Sequence, residues 1–344
     1  MQYNHSNKTA IFFDNGVVSP DNKMGLSYIN YHADKVICII DVSAKKQNLH
    51  DYYTHLPNIS MVKSLEAAIA KGVDTVIIAD MPNGGKLTDN LKSQIDQMVD
   101  AGLSIVNGLH DHLAGLYPNL KQNQHIYDLR KVEKHYLAKP QYKAHKLNNK
   151  RVLLVGSDMA VGKMTAGLQL YKAALNKGIF ANFLATGQVG IAISGNGIPL
   201  DAIPLDFTGG AIEKLVTENV ADISFIEGQG SLNNPGSAAT LPLMRGSQPT
   251  HLVFCHKTSL QGYLKNYRDV AIPNINELIT FNEQVSEACG AFIRPKTIGI
   301  CVNTLELNET EAENYLDQLS QETNKIAIDP IRSPQDCDKL LAEI

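Results

Sequence analysis

An α/β protein with two mainly parallel sheets is predicted by three features of this 344-residue sequence. Short runs rich in Val, Ile and Phe recur along the chain, helical segments separate them, and most runs end in Gly, Asp, Asn or His. That alternation is the pattern of βαβ units, in which crossover helices cover a parallel sheet. The length suffices for two domains of ordinary size, each burying its own core.

In the first half, strands are expected at Ala10–Phe13, Val36–Ile40, Thr75–Ala79 and Ser104–Val106. Helices are expected at Ser64–Lys71 and Leu87–Asp100, the second with Leu91, Ile95 and Met98 on one face. Residues 1–140 therefore read as an N-terminal Rossmann-like domain. Lys134, Lys139, Lys143, Lys146 and Lys150 then occur with Pro140 and no acidic residue between them. This stretch lacks the aromatic-glycine patterning of a nucleic-acid patch, and residues 141–150 read as a solvated linker. Apolar periodicity resumes at Val152–Val155, followed by strands at Asn182–Ala185, Ile223–Ile226, Leu252–Cys255, Thr297–Val302 and Lys325–Ile328. Helices are expected at Lys163–Asn176, Gly210–Asn219, Asn274–Ala288 and Glu309–Gln321, so residues 151–344 form a P-loop-containing α/β domain.

Composition narrows the function. With 44% hydrophobic and 19% charged residues the chain has the makeup of a packed globular protein, not of a disordered one. A net charge of -4 offers no polyanion-attracting surface, so a small-molecule substrate is expected and nucleic acid is not. The cysteines, Cys38, Cys255, Cys289, Cys301 and Cys337, are scattered without CxxC or zinc-type spacing, which points to reduced thiols, no metal site and a cytoplasmic location. No apolar run approaches the roughly 20 residues of a membrane span, and the N-terminus lacks a basic region followed by an apolar core. A homo-oligomer, dimer or larger, is the common state of enzymes of this kind.

The strongest motif is Gly156-Ser157-Asp158-Met159-Ala160-Val161-Gly162-Lys163, which fits G-x-x-x-x-G-K between an apolar strand and a helix carrying Ala166, Leu168, Leu170 and Ala174. In that setting backbone N–H groups of the turn and of the helix start converge on phosphate oxygens, and Lys163 adds a point charge. The next residue is Met164, where phosphoryl-transfer loops carry the Ser or Thr that ligates Mg²⁺. Thr165 lies about 100° further round the helix. A loop of this kind suits phosphates that are held and not cleaved.

Ligands of parallel sheets sit beyond the carboxyl ends of the strands. There the chain places Gly156-Ser157-Asp158, Thr186-Gly187-Gln188, Glu227-Gly228-Gln229-Gly230-Ser231, His256-Lys257 and Asn303-Thr304. Glu227, a carboxylate beside two glycines, is the leading catalytic candidate. Thr186, Gln188, Gln229 and Lys257 are candidate substrate contacts, with Arg245 as a carboxylate fork. The loops 190–199 and 233–237 have the composition of segments that fold over a substrate, as of plain connections. In the first half, Asn83, Gly84 and Gly85 follow a strand and offer N–H donors to an anion, while His110 titrates near neutrality and can move a proton.

Taken together, Gly156-Ser157-Asp158 with Gly162-Lys163-Met164-Thr165, Thr186-Gly187-Gln188-Val189-Gly190-Ile191, Gly197-Ile198-Pro199-Leu200-Asp201-Ala202, Asp206-Phe207, Glu227-Gly228-Gln229-Gly230-Ser231-Leu232 and Gly246-Ser247-Gln248-Pro249 resemble a bacterial P-loop family. One branch of it is the D-glutamate N-acetyltransferases. The likeness extends to Pro82-Asn83-Gly84-Gly85 and Gly108-Leu109-His110 and so spans almost the whole chain. It implies transfer of acetyl from acetyl-CoA to the α-amine of D-glutamate. The P-loop would anchor the coenzyme phosphates, Glu227 or His110 would serve as base, and N–H groups near Gly187 or Gly230 would steady the oxyanion. The P-loop half is also similar to dethiobiotin synthetase, which implies the alternative of an ATP- and Mg-dependent ligase or kinase. Met164 departs from that pattern at the metal-binding position.

Overall fold

The computed structural model describes Tyr3, His5, Ser6, residues 8–80 and residues 85–344, so Asn83 and Gly84 lie outside the described residues. The chain divides into two compact units, residues 1–132 with 188–202, and residues 133–187 with 203–344.

The first unit holds β1 (Thr9–Phe12), α1 (Lys23–His32), β2 (Val36–Ile40), β3 (Met61–Val62), α2 (Leu65–Ala70), β4 (Thr75–Ile78), α3 (Asp89–Asp100), β5 (Ser104–Asn107) and β6 (Ile126–Asp128). Its sheet runs β3-β2-β1-β4-β5-β6 with every pairing parallel. This is the doubly wound order of Rossmann-like domains. β1 and β4 are buried throughout, as strands covered on both faces must be. Leu91, Ile95 and Met98 of α3 pack with Phe12, Ile40, Val76 and Ile78 in one core. Ser64 and Thr88 cap α2 and α3 by accepting the N–H of Ala67 and Leu91.

The second unit holds β7 (Lys150–Gly156), α4 (Lys163–Asn176) and β8 (Ala181–Leu184); the chain then passes into the first unit as α5 (Gln188–Ser194) and returns. There follow α6 (Leu205–Glu218), β9 (Ile223–Ile226), α7 (Thr240–Ser247), β10 (His251–Lys257), β11 (Tyr263–Leu264), β12 (Tyr267–Ala271), α8 (Ile275–Glu287), β13 (Lys296–Asn303), α9 (Glu309–Thr323), β14 (Ala327–Ile328) and α10 (Cys337–Leu341). The main sheet, β14-β13-β10-β7-β9-β8, is again wholly parallel. Its centre is the apolar pair β7 and β10, each buried for six of seven residues. The α/β class, the Rossmann-like first unit and the P-loop second unit all follow the sequence reading.

Segment 188–202 packs against the first unit. His32 Nε2 lies 2.7 Å from Ile193 O, the Tyr3 N–H donates to Gly195 O at 2.8 Å, and the Arg130 guanidinium pairs with the Asp201 carboxylate. The lysine-rich stretch is anchored on the second unit, where the N–H groups of Gln141 and Lys143 each donate to a Glu213 oxygen at 2.7 Å. All five cysteines are free thiols, and only Cys289 is exposed. Among the described residues no helix is long and apolar enough to cross a membrane.

Candidate functional site

The phosphate-binding motif forms the turn between β7 and α4. Gly162 takes φ +105°, a left-handed conformation that a side chain would strain, and Ala160 also has positive φ at +55°. Gly162 leaves α4 without a side-chain cap, so the N–H groups of the first turn face outward at the positive end of the helix dipole. Lys163 is buried to 6% exposure, and its Nζ donates to Asp158 O at 2.8 Å, folded back along the loop. These features give an anion cradle of backbone donors and one ammonium.

The rest of the motif is braced from below. Ser157 Oγ lies 2.8 Å from His256 Nδ1, and Asn233 Nδ2 donates to Ser157 O at 2.9 Å. Asp158 is fully buried; Oδ1 accepts from Met159 N–H and Asn234 Nδ2 at 2.6 Å each, and Oδ2 accepts from Lys265 N–H at 2.7 Å. That carboxylate joins the loop to residues 233–237 and to the β11–β12 hairpin. Ser231 Oγ donates to Gly156 O at 3.0 Å, and Thr240 Oγ1 donates to Gln229 O at 2.8 Å.

At the tip of β9, Glu227 is buried, and its Oε2 accepts from the N–H groups of Thr186 at 2.8 Å and Gly187 at 3.1 Å. Thr186 Oγ1 donates back to Glu227 O at 2.8 Å. The ends of β8 and β9 are thus locked together, and the Gly187 N–H is engaged by the carboxylate. Gly228 must lack a side chain, since a Cβ there would stand 1.7 Å from Leu154 O and 2.8 Å from Lys163 Cδ. Gln229 Nε2 approaches within 2.6 Å of the place a Cβ would take on Gly187. The structure therefore gathers Gly156–Thr165, Thr186, Glu227 and Gln229 at one end of the second unit. Lys257 stands at the tip of β10, with its Nζ 3.7 Å from Glu306 Oε1.

Arg245 is placed elsewhere. It sits in the last turn of α7, just before β10 begins, and so near the amino end of the sheet. Its Nη1 donates to Ser286 O at 3.1 Å, and its guanidinium lies over the Phe292 ring at 5.0 Å. Partial burial pushes its pKa below the usual value.

Gly85, His110 and Gln188 belong to the first unit. The His110 N–H donates to Gly85 O at 2.9 Å, and Arg130 Nη1 lies 3.0 Å from His110 Nε2. A guanidinium only donates, so Nε2 is the acceptor of that contact. Arg130 Nε also donates to Gly108 O at 2.8 Å, and the side chain of Gln188 stands beside Gly108.

His256, Asn233, Asn234, Arg130 and Asp201 were not singled out as site residues from sequence. His256 closes a predicted strand and the asparagines sit in a recognised Gly/Ser/Asn/Pro loop, so position alone pointed to them. Arg130 follows β6, a three-residue strand with no legible pattern. Among the described residues no group of three or more His, Cys, Asp or Glu is placed to hold a metal ion.

Comparison with known proteins places this geometry in context. A family model described as a domain of unknown function, DUF1611_C P-loop domain, matches residues 139–341. Its N-terminal counterpart, the DUF1611_N Rossmann-like domain, matches residues 43–132. A D-glutamate N-acetyltransferase from Tritonibacter scottomollicae is 34% identical over 78% of this chain and 81% of its own. Another, from a Pseudoalteromonas species, is 34% identical over 79% and 82%. The crystal structure of a DUF1611 family protein from Anabaena variabilis superposes with a TM-score of 0.90 at 37% identity, covering 97% of this chain and 99% of that one.

Proposed function

From the premise that the chain belongs to the DUF1611 family and is an N-acetyltransferase, we propose that it moves the acetyl group of acetyl-CoA to the α-amine of D-glutamate. The observation that carries this reading is the phosphate cradle itself. It combines an uncapped helix start, a left-handed glycine and a buried lysine with Met164 where a metal-ligating hydroxyl would stand. Such a cradle suits the diphosphate of coenzyme A, which is gripped as a handle and never broken. D-Glutamate as acceptor is supported by the similarity to the two D-glutamate N-acetyltransferases.

In this scheme the first-turn N–H groups of α4 and Lys163 hold the phosphates, and Gly162 and Gly228 keep the approach clear of side chains. Glu227, buried and oriented by two backbone N–H groups, takes the proton from the substrate ammonium. The free amine forms its C–N bond at the thioester carbonyl, the C–S bond breaks, and the thiol leaves with a proton. With the Gly187 N–H engaged by Glu227, the turn at Gly230 supplies the oxyanion donor. Gln229, Thr186 and Lys257 stand at the same strand ends for the substrate carboxylates.

The test is thiol release from acetyl-CoA with D-glutamate or L-glutamate as acceptor, read with a thiol reagent and by mass of the N-acetylated product. D-Glutamate should release coenzyme A stoichiometrically with N-acetylglutamate. In Lys163→Ala, coenzyme affinity should fall about 10- to 100-fold, the value of one charge-assisted hydrogen bond. Absence of thiol release, or unchanged coenzyme affinity in that variant, overturns the reading.

A further inference from the structure

An open cavity of about 350 Å³ lies beside the phosphate-binding loop in the second unit. One side chain is shared by the two. His256 meets Ser157 Oγ of the loop at 2.8 Å through Nδ1, and the same residue lines the cavity. Tyr315 of α9 runs nearly parallel to it, at 16° with ring centroids 6.3 Å apart. Burial pushes His256 down to about 4, so both rings are uncharged at neutral pH.

The remaining polar side chains of the lining are the Thr258 hydroxyl, the amides of Gln261, Asn274 and Gln318, and the Glu322 acid. None of the described lining residues is lysine or arginine. A phosphate or a dicarboxylate placed here would meet Glu322 and find no cation, which disfavours an anion. A purely apolar ligand would make no use of the exposed amides. Two amide groups are already half used. Asn274 Oδ1 caps α8 by accepting the Asn276 N–H at 2.8 Å, and Gln318 Nε2 donates to Glu322 Oε1 at 2.7 Å. Asn274 Nδ2 remains as a donor and Gln318 Oε1 as an acceptor, beside the second lone pair of Asn274 Oδ1 and the second N–H of Gln318 Nε2. A flat neutral heterocycle with an amino donor next to a ring-nitrogen acceptor complements that pair, and its faces suit the two rings. The volume falls at the low end of the roughly 300–1,000 Å³ of small-molecule pockets.

We propose that this cavity is the adenine subsite of the coenzyme, with His256 and Tyr315 against the base and Asn274 and Gln318 reading its amino edge. The inference rests on the reading of the loop as a coenzyme A anchor, because His256 both touches the loop and lines the cavity. Hypoxanthine presents the opposite edge, a carbonyl acceptor beside an N–H donor, and should be rejected.

Isothermal titration of the full chain with CoA, ADP and IDP tests this, using Gln318→Leu and Asn274→Asp, which keep the helix and its cap. The wild type should bind ADP about tenfold tighter than IDP, the discrimination of one mismatched hydrogen-bond pair. In the variants that ratio should fall toward one and CoA affinity should drop about tenfold. An ADP-to-IDP ratio near one in the wild type, or a ratio unchanged in both variants, overturns the subsite. Binding of ADP without CoA, still sensitive to the variants, leaves the subsite standing and removes the coenzyme A reading. Binding of neither removes both.

Discussion

Replacing Asp158 by Ala separates a brace from a ligand contact. The carboxylate is fully buried and accepts three hydrogen bonds, from Met159 N–H, Asn234 Nδ2 and Lys265 N–H, at 2.6, 2.6 and 2.7 Å. The first is local to the turn. The other two tie in residues 76 and 107 positions away in the chain, and hydrogen bonds to a charged group contribute about 1.5–3 kcal/mol each. Because the Lys265 N–H is only partly buried, the lower end applies, and the second unit should lose about 3 kcal/mol. For a unit of this size that is roughly 6–12 °C in the melting temperature of its transition. Asp158→Asn should recover little, since its NH₂ group would face one of the donors. Thermal and urea unfolding measure the loss, and hydrogen exchange of the segment 258–272 should speed up as the hairpin is released. A loss below about 1 kcal/mol with unchanged exchange would refute the brace.

Three further outcomes are expected. Burial pushes His251 and His256 down to about 4 in the folded chain, against about 6.5 unfolded. The unfolded state therefore binds more protons between those values, and stability present above pH 6.5 is lost as pH falls toward 4. At pH 5 the deeply buried His256 should cost about 2 kcal/mol relative to pH 7.5, and His251, more open to solvent screening, less than that. Urea midpoints at the two pH values measure this, and His251→Gln should remove less than half the difference. Arg245→Ala should destabilise the second unit by about 1–2 kcal/mol through loss of the Ser286 and Phe292 contacts. The same variant should leave the KM for glutamate within about twofold; a large rise in KM would move Arg245 to the site. Acetyl transfer should survive EDTA treatment, because Met164 leaves the loop without its metal-ligating hydroxyl; loss of activity restored by Mg²⁺ would count against the handle.

The long apolar strands and the P-loop turn were legible because their signals are local. Val152–Val155 is a continuous buried run, and a G-x-x-x-x-G-K segment between strand and helix has one physical use. Elements stabilised by partners distant in sequence were not. The two-residue β3 and three-residue β6 have no periodicity to read, and α1 contains Gly25, Ser27 and Asn30, so its helix rests on burying Met24, Tyr28 and Ile29. The β11–β12 hairpin is mostly exposed, and it is held by the burial of Leu264 and the bond from the Lys265 N–H to Asp158, neither of which has a local signal. Arg245 shows the opposite failure. A basic residue near polar turns reads as a carboxylate fork until the topology puts it at the far end of its strand. Nothing local to Gln188–Ala202 reveals that this segment packs with the first unit.

The polar residues of the loop that look most reactive in sequence are committed to holding backbone. Ser157 meets His256, Asp158 ties down two loops, and Glu227 clamps the ends of β8 and β9. Donors fixed in this way need no rearrangement when an anion arrives, which is the condition under which backbone N–H groups bind charge most effectively. Lys163 is the exception, since its ammonium lies back on Asp158 O and must swing toward a phosphate to bind it. The loop is thus a braced cradle with one ammonium folded back on its own backbone. Substitutions of Ser157 and Asp158 should act first on stability, whereas Lys163→Ala should act first on affinity.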